Sequence, residues 1–327
     1  MTPWNLLALP PLPEDLVRAI LAPLGDRVEV RVPAARDRGS LLDGLAEAEI
    51  VLGDWSAELA LDAEAVAAAP RLAFVQQPAV GVEGYDLDAL AAAGVPLANA
   101  AGVNATSVAE WCLAAALSLA RKLGEADAAV RAGEWPQQQL RPRELAGSRV
   151  GIVGFGPIGV ICKRLFEAFG CQVAYWTRTP REEPGYTALD GVIADSDVLV
   201  VVIALSEETR GMIDAGRMKE GALLINAARG GVVNQAALAA AIESGHLGGA
   251  ALDVFDAEPL PVDDPLRKLD RVLLSPHVAG VTPASTGRLL TATMANLTAA
   301  LEGRPVEHVV NGVSQVITRK FGGSPSA

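Results

Sequence analysis

An α/β protein of two domains is what this sequence predicts, and three features predict it. Short apolar runs alternate with helical patterns along most of the chain, as when helices cover both faces of a parallel sheet. A glycine-rich turn joins one of those runs to a helix near the middle. The third feature is size and composition. With 327 residues, 50% hydrophobic and only 4% aromatic, the chain can bury two cores, and its small side chains suit helices packed on parallel sheets.

Residues 1–99 carry the first alternation. Strands are predicted at 6–9, 28–32, 49–52, 72–76 and 96–98, with helices such as 14–21, 63–69 and 87–93 between them. No phosphate-type loop interrupts this half. Its most unusual stretch, Gln-Gln-Pro-Ala-Val-Gly-Val-Glu from Gln76 to Glu83, follows a strand end, where open α/β sheets place ligands. Taken alone, it reads as a plain loop.

A long helix over 104–121 links the two halves. Beyond it, strand 150–153 runs into Gly154, Gly156 and Gly159, a G-x-G-x-x-G turn. Ile158, Ile161, Cys162, Leu165, Phe166 and Phe169 then mark one helix face, closed by Gly170. Strand, turn and helix come in the order a dinucleotide site requires. Gly154 permits the tight turn, Gly156 lets the backbone approach a pyrophosphate, and Gly159 lets the helix lie close to the strand. The helix N-terminus supplies N–H groups and partial positive charge. Strands at 173–176, 198–203, 222–226, 249–253 and 272–275 complete a set of six, the two mononucleotide-binding halves of a doubly wound Rossmann domain. Residues 283–301 are helical, 306–313 are predicted to return as a strand to the first domain, and the tail from Gly322 is expected to fray. The expected division is a smaller substrate-binding domain over 1–99, completed by about 291–327, and a cofactor-binding domain over 100–290.

Charge and cysteine content narrow the function classes. A net charge of −12 argues against a nucleic-acid groove or an anionic membrane surface, while leaving room for a small anion bound by local positive charge. Cys112, Cys162 and Cys171 form an odd set without metal-ligand spacing, so no metal is expected and the thiols read as reduced. The first two lie in apolar helical patterns and read as buried small hydrophobes. The N-terminus has no basic leader and no run reaches membrane-spanning length, so a cytoplasmic protein is expected.

Three segments carry candidate chemistry to the carboxyl ends of strands in the second half. Arg229 lies in Ala-Ala-Arg-Gly-Gly after strand 222–226, and Glu258 follows Asp253 in Asp-Val-Phe-Asp-Ala-Glu-Pro. His277 lies in Pro-His-Val-Ala-Gly after strand 272–275. Singly, these read as a surface cation, a turn carboxylate and a loop histidine. Histidine is scarce, however. His246 sits in a polar helix-ending stretch and His308 near the C-terminus, which leaves His277 as the candidate acid–base.

With these residues the chain resembles the D-isomer-specific 2-hydroxyacid dehydrogenases, a family that includes lactate, 3-phosphoglycerate and glyoxylate/hydroxypyruvate enzymes. The resemblance runs from about Leu72 to Leu301. It is carried by Val108-Ala109-Glu110, Gly154 to Gly159, Asn226 to Gly231 with Asp253 to Pro259, and Pro276-His277 with Gly280 and Thr282. It implies a flavodoxin-like substrate domain beside the Rossmann domain, with the active site in the cleft between them. Arg229 would hold the substrate carboxylate and carbonyl oxygen through its forked donors. His277 would move the proton at that oxygen as hydride reaches or leaves carbon, and Glu258 would hydrogen-bond and orient the imidazole. Asp253 would face the nicotinamide carboxamide, Pro157, Ile158, Ala227 and Gly280 would also line the cofactor, and the N–H groups of Val80 and Gly81 would receive the substrate carboxylate. Relatives are commonly homodimers through the 100–145 region, where Trp135 could contribute.

Two departures modify this expectation. Relatives that prefer NAD end their second strand in an aspartate that binds the ribose hydroxyls; here Thr177 stands there, followed by Arg178 and, past Pro180, Arg181. NADP(H) is therefore favoured, with NAD(H) possible. Ala204 replaces a usual proline in a loop bordering the cofactor, a local change only. The expected function is hydride transfer between NAD(P)H and a small 2-oxoacid such as glyoxylate or hydroxypyruvate. The alternatives are a cofactor-sensing regulator without turnover and a formate- or phosphite-type dehydrogenase.

Overall fold

The computed structural model describes residues 2–320, so the tail from Gly322 lies outside the described residues. The chain divides into two compact units, Met1–Val103 with Pro283–Ala327, and Asn104–Thr282. In the first, β1 (Trp4–Ala8), α1 (Glu14–Leu21), β2 (Val28–Arg31), α2 (Arg38–Leu45), β3 (Ile50–Leu52), α3 (Ala63–Ala67), β4 (Phe74–Gln76), α4 (Leu87–Ala92) and β5 (Leu97–Ala98) alternate strictly. The strands form one sheet in the order β2-β1-β3-β4-β5, every pair parallel. Alternate residues go to opposite faces. Leu7, Val51 and Val75 pack with Leu41, Leu45 and Leu90 on one side, and Leu6, Ile50 and Phe74 with Val17 and Leu21 on the other. Helix α2 has no strong sequence signal, because Gly39, Gly44 and Asp43 dilute a face made only of Leu41 and Leu45. It forms because those two leucines are buried and Asp37 caps it, accepting from Ser40 N at 2.8 Å.

The second unit begins with α5 (Ala105–Arg121) and α6 (Leu123–Arg131). It continues with β6 (Arg149–Val153), α7 (Pro157–Ala168), β7 (Gln172–Trp176), α8 (Leu189–Asp195), β8 (Val198–Val201), β9 (Leu223–Asn226), α9 (Gln235–Glu243), β10 (Gly249–Leu252) and β11 (Val272–Leu274). Its sheet is also parallel throughout, in the order β11-β10-β9-β8-β6-β7. Strand order therefore reverses between β6 and β8, the position at which doubly wound sheets bind ligands. A single parallel bridge from Tyr186 to Tyr175 continues the sheet outward past β7. Val150, Ile152, Val198, Val200 and Ile225 face α5 and α7, while Val153, Leu199, Val201 and Leu224 face α8 and α9. Cys112 on α5 and Cys162 on α7 are fully buried. The neighbouring Cys162 and burial together push the Cys112 thiol well above its ordinary range, so it packs as a small hydrophobe.

The last helix, α10 (Pro283–Leu301), belongs to the first unit, where Leu297 and Ala300 join Leu6, Phe74 and Leu24 in one core. The break therefore falls before this helix, at Thr282, rather than near residue 290. Residues 306–313 do not form the predicted strand. They make a single antiparallel bridge, Val309 to Ala98, because Asn311 takes the place of a ladder: its Oδ1 accepts from Leu97 N at 3.1 Å and its Nδ2 donates to Val95 O at 2.8 Å. No helix among the described residues is long and apolar enough to cross a membrane.

Candidate active site

The glycine turn after β6 is shaped by three different constraints. Gly154 has φ +105°, and a Cβ there would lie 2.7 Å from Val202 O, so the turn needs glycine both for its dihedral and for its closeness to the end of β8. At Gly159 a Cβ would lie 2.2 Å from Gly154 O, which is how α7 comes to rest directly on the turn. At Gly156 no protein atom lies within 4 Å of that position. Gly156 is also the N-cap of α7, and no side chain caps the helix. A helix N-terminus with open space above it and no capping group fits a pyrophosphate, which would take up its N–H groups. Pro157 and Ile158 form the first turn.

Three neighbouring strands place the candidate catalytic residues. Glu258 and His277 meet directly: His277 Nδ1 lies 2.7 Å from Glu258 Oε2, and Glu258 Oε1 accepts from Phe255 N at 3.0 Å. The bond at Nδ1 leaves Nε2 as the ring nitrogen directed elsewhere, and the ring is 48% exposed, open to a reactant. Arg229 stands at the end of β9, next to β10, with Nη1 donating to Ala228 O at 2.7 Å. Asn226 fixes its backbone, donating to Arg229 O at 3.3 Å and accepting from Ala228 N at 3.1 Å. Gly230 then packs so tightly that a Cβ would lie 2.0 Å from Phe255 O, which ties the Arg229 loop to the Glu258 loop.

Asp253 emerges as the post that holds the histidine loop. It is 2% exposed. Its carboxylate accepts from Ser275 Oγ at 2.5 Å, Val278 N at 2.9 Å and Ala279 N at 2.8 Å, while its carbonyl accepts from His277 N at 2.9 Å. A carboxylate has about four acceptor sites, so these three bonds leave one for a carboxamide donor. Ser275 went unnoticed in the sequence, although its place directly after β11 was a signal. Gly280 closes the loop against α5, where a Cβ would lie 2.5 Å from Asn104 Nδ2. Ala227 is half-buried at the end of β9, its N–H donating to Val201 O at 3.1 Å.

Past β7, Thr177 is half-buried and Arg178 exposed; Arg178 Nη1 lies 3.8 Å from Glu208 Oε2 with both side chains in solvent, a weak contact. Arg181 stacks over Phe155 of the glycine turn, 5.7 Å from the ring centroid.

In the first unit, the loop after β4 holds Val80 and Gly81 by their carbonyls. Asn99 Nδ2 donates to Val80 O at 2.7 Å, and Gln77 Nε2 donates to Gly81 O at 3.2 Å. No described residue accepts from the N–H of either, so two adjacent donors remain for an anion. Gln77 lies in the stretch the sequence singled out, whereas Tyr85 and Asn99 were missed, since polar residues at strand ends look like ordinary loop composition.

Comparison with known proteins places these features in context. The family model described as D-isomer specific 2-hydroxyacid dehydrogenase, NAD binding domain, matches residues 113–279. A D-3-phosphoglycerate dehydrogenase of Mycobacterium leprae is 37% identical over 309 residues, 91% of this chain and 58% of the relative, so the chain spans little more than half of that protein. A glyoxylate reductase of Korarchaeum cryptofilum is 36% identical over 77% of this chain and 80% of its own length. Among solved structures, a D-lactate dehydrogenase of Aquifex aeolicus complexed with NAD and lactic acid superposes with a TM-score of 0.81 at 28% identity, covering 91% of this chain and 96% of that one.

Proposed function

The chain belongs to the D-isomer-specific 2-hydroxyacid dehydrogenase family, and from that premise we propose that it transfers hydride between a reduced nicotinamide cofactor and a small 2-oxoacid such as glyoxylate or hydroxypyruvate. The observation that carries the proposal is the bond of 2.7 Å between Glu258 and His277, beside Arg229 at the carboxyl edge of the second unit's sheet. A bound nicotinamide supplies the hydride. In this reading the N-terminus of α7 and the Gly154–Gly159 turn hold its pyrophosphate, with Pro157, Ile158, Ala227, Asp253 and Gly280 around it. Arg229 binds the carboxylate and polarises the carbonyl of the oxoacid, and the N–H groups of Val80 and Gly81 bind the carboxylate. His277 Nε2 gives its proton to the carbonyl oxygen on reduction and takes it back on oxidation. Glu258 keeps Nδ1 bonded, so the ring presents the other nitrogen to the reactant.

The test is steady-state reduction of a panel of 2-oxoacids with NADH and with NADPH. A cofactor-sensing regulator would bind the dinucleotide and turn over none of them; the presence of Arg229, Glu258 and His277 together supports turnover.

Cofactor preference is a finer part of the same proposal. The family model is described as an NAD binding domain and the Aquifex aeolicus D-lactate dehydrogenase as complexed with NAD, and our preference for NADPH rests on Thr177 and Arg178. Thr177 offers no carboxylate to ribose hydroxyls and no repulsion to a 2′-phosphate, and among the described residues Arg178 is paired only with the exposed Glu208. One charge-assisted bond is worth about 1.5–3 kcal/mol, roughly tenfold or more in favour of NADPH. Thr177→Asp and Arg178→Ala should each move the kcat/KM ratio toward NADH; a wild type that favours NADH and an Arg178→Ala ratio that stays put would refute it.

We also read the α6 region as the face of a homodimer, since α6 has no buried residue and Leu123, Val130 and Trp135 are 55%, 54% and 78% exposed. Sedimentation at micromolar concentration distinguishes monomer from dimer. Three free, buried cysteines suit a reducing compartment such as the cytoplasm.

A further inference from the structure

We infer that the first unit selects 2-oxoacids with an uncharged substituent beyond the carbonyl and rejects those that end in a phosphate or another anion. This rests on the hydride-transfer reading above and names the substrate class which that chemistry accepts.

The sheet order β2-β1-β3-β4-β5 reverses between β1 and β3. In open parallel sheets the crevice outside the strand ends at such a reversal takes the ligand. Here Arg36 bridges that crevice. Its Nη1 donates to Leu9 O after β1 at 2.8 Å, its Nη2 to Asp54 Oδ2 after β3 at 2.6 Å and to Ser56 Oγ at 3.1 Å, and its Nε to Glu58 Oε2 at 3.0 Å. The guanidinium is thus committed along both of its edges, and no fork is left for a phosphate. The Asp54 side chain that it pairs with is fully buried, at 0% exposure.

Arg36 is also the only cation among the described residues of the loops that follow β1 to β5, which span 9–13, 32–37, 53–62, 77–86 and 99–103. The same loops carry Asp37, Asp54, Glu58, Asp62, Glu83 and Asp86. Helix N-termini would ordinarily attract an anion at this edge, but Asp37, Asp62 and Asp86 already cap α2, α3 and α4. Packing leaves no room for any side chain, basic ones included, at position 53 beside Asp54. A Cβ at Gly53 would lie 1.8 Å from Tyr85 Oη and 2.5 Å from Gln77 Oε1, and Tyr85 donates to that same Gln77 oxygen at 2.7 Å.

What the crevice does offer is neutral. Trp55, next to Asp54, is 42% exposed and gives the loop an apolar surface. Farther along the edge, past β5, Asn99 donates to Val80 O at 2.7 Å and so adds no charge to the loop that carries the Val80 and Gly81 N–H groups. The carboxylate common to all 2-oxoacids is provided for by the N–H groups of Val80 and Gly81. A second anionic group would face Asp54 and Glu58 with their one cation already taken, and specificity of this kind comes from repulsion.

The experiment compares kcat/KM for hydroxypyruvate and for its 3-phosphate ester, at low and high salt, in wild type and Glu58→Lys. Glu58 is 64% exposed, and its loss leaves Arg36 held by Leu9 O, Asp54 and Ser56. Wild type should prefer hydroxypyruvate by about 100-fold at low salt. Added salt should narrow the ratio, and Glu58→Lys should narrow it by roughly tenfold. A phosphate ester reduced as well as hydroxypyruvate, or a ratio indifferent to both salt and Glu58→Lys, would overturn the inference while leaving hydride transfer standing. If no 2-oxoacid is reduced with either cofactor, the hydride-transfer reading fails and this inference falls with it.

Discussion

His277 sits at φ 54°, in the left-handed region, where a residue other than glycine is held at a cost of about 1 kcal/mol or more. Asp253 sustains that conformation, its carbonyl accepting from His277 N and its buried carboxylate from Val278 N and Ala279 N, so one residue aims the ring. His277→Gln should lower turnover by about 10²–10⁴-fold, the range for loss of a positioned acid–base, with cofactor affinity unchanged in a fluorescence titration. Near-normal turnover would remove the imidazole from the reaction. Arg229→Lys tests the fork in the same assay. An ammonium cannot present paired donors, so kcat/KM for oxoacid reduction should fall by at least about tenfold.

At the scale of elements, the glycine turn makes two substitutions of equal size behave differently. Gly159→Ala puts a methyl 2.2 Å from Gly154 O, so α7 must lift from the turn. Overpacking of this kind costs about 1–3 kcal/mol, and it should lower the unfolding midpoint together with cofactor affinity. Gly156→Ala meets nothing within 4 Å and has φ −81°, which alanine adopts freely. It should unfold like wild type and lose affinity for the cofactor alone. If Gly156→Ala binds the dinucleotide normally, the space above α7 is not where a pyrophosphate sits.

The whole first unit depends on a strap from its far end. Arg319, over 300 residues from the N-terminus in sequence, donates to Thr2 O at 2.9 Å and Pro3 O at 2.7 Å, lies 5.0 Å from the Trp4 ring centroid, and pairs with Glu49 at 2.6 and 2.7 Å. Glu49 is only 1% exposed. Burial pushes its carboxyl up, but the Arg319 guanidinium and the Asn5 N–H outweigh burial and hold it below its ordinary 4.5. A carboxyl depressed on folding contributes stability that is complete above pH 4.5 and is lost as the pH falls through the depressed value. Urea unfolding should therefore show wild type weakening below that pH. Arg319→Met, which strands a buried carboxylate, should cost about 3–5 kcal/mol at neutral pH, with the difference from wild type shrinking in acid. A variant equal to wild type at neutral pH would mean that the strap adds nothing.

Local chemistry was legible in the sequence wherever a residue's own neighbours dictate its conformation. The apolar runs of β6, β8 and β9 are strands because both faces are buried, and the order of glycines after Val153 states the turn, since each glycine answers a constraint a few residues away. The strand pattern likewise set Arg229, Glu258 and His277 at successive strand ends, and the resemblance implied their roles. What depends on partners distant in the chain was not legible. Helix α2 exists because two leucines find a core, and 306–313 is no strand because Asn311 bonds to Val95 and Leu97, more than 200 residues earlier. The role of Asp253 as the post under His277, and of Arg36 as the bridge between Leu9 and Asp54, likewise came only from the tertiary structure. Sequence patterns encode which surfaces want burial and which dihedrals a turn requires; which donor meets which acceptor is decided only when the sheets bring remote loops to one edge.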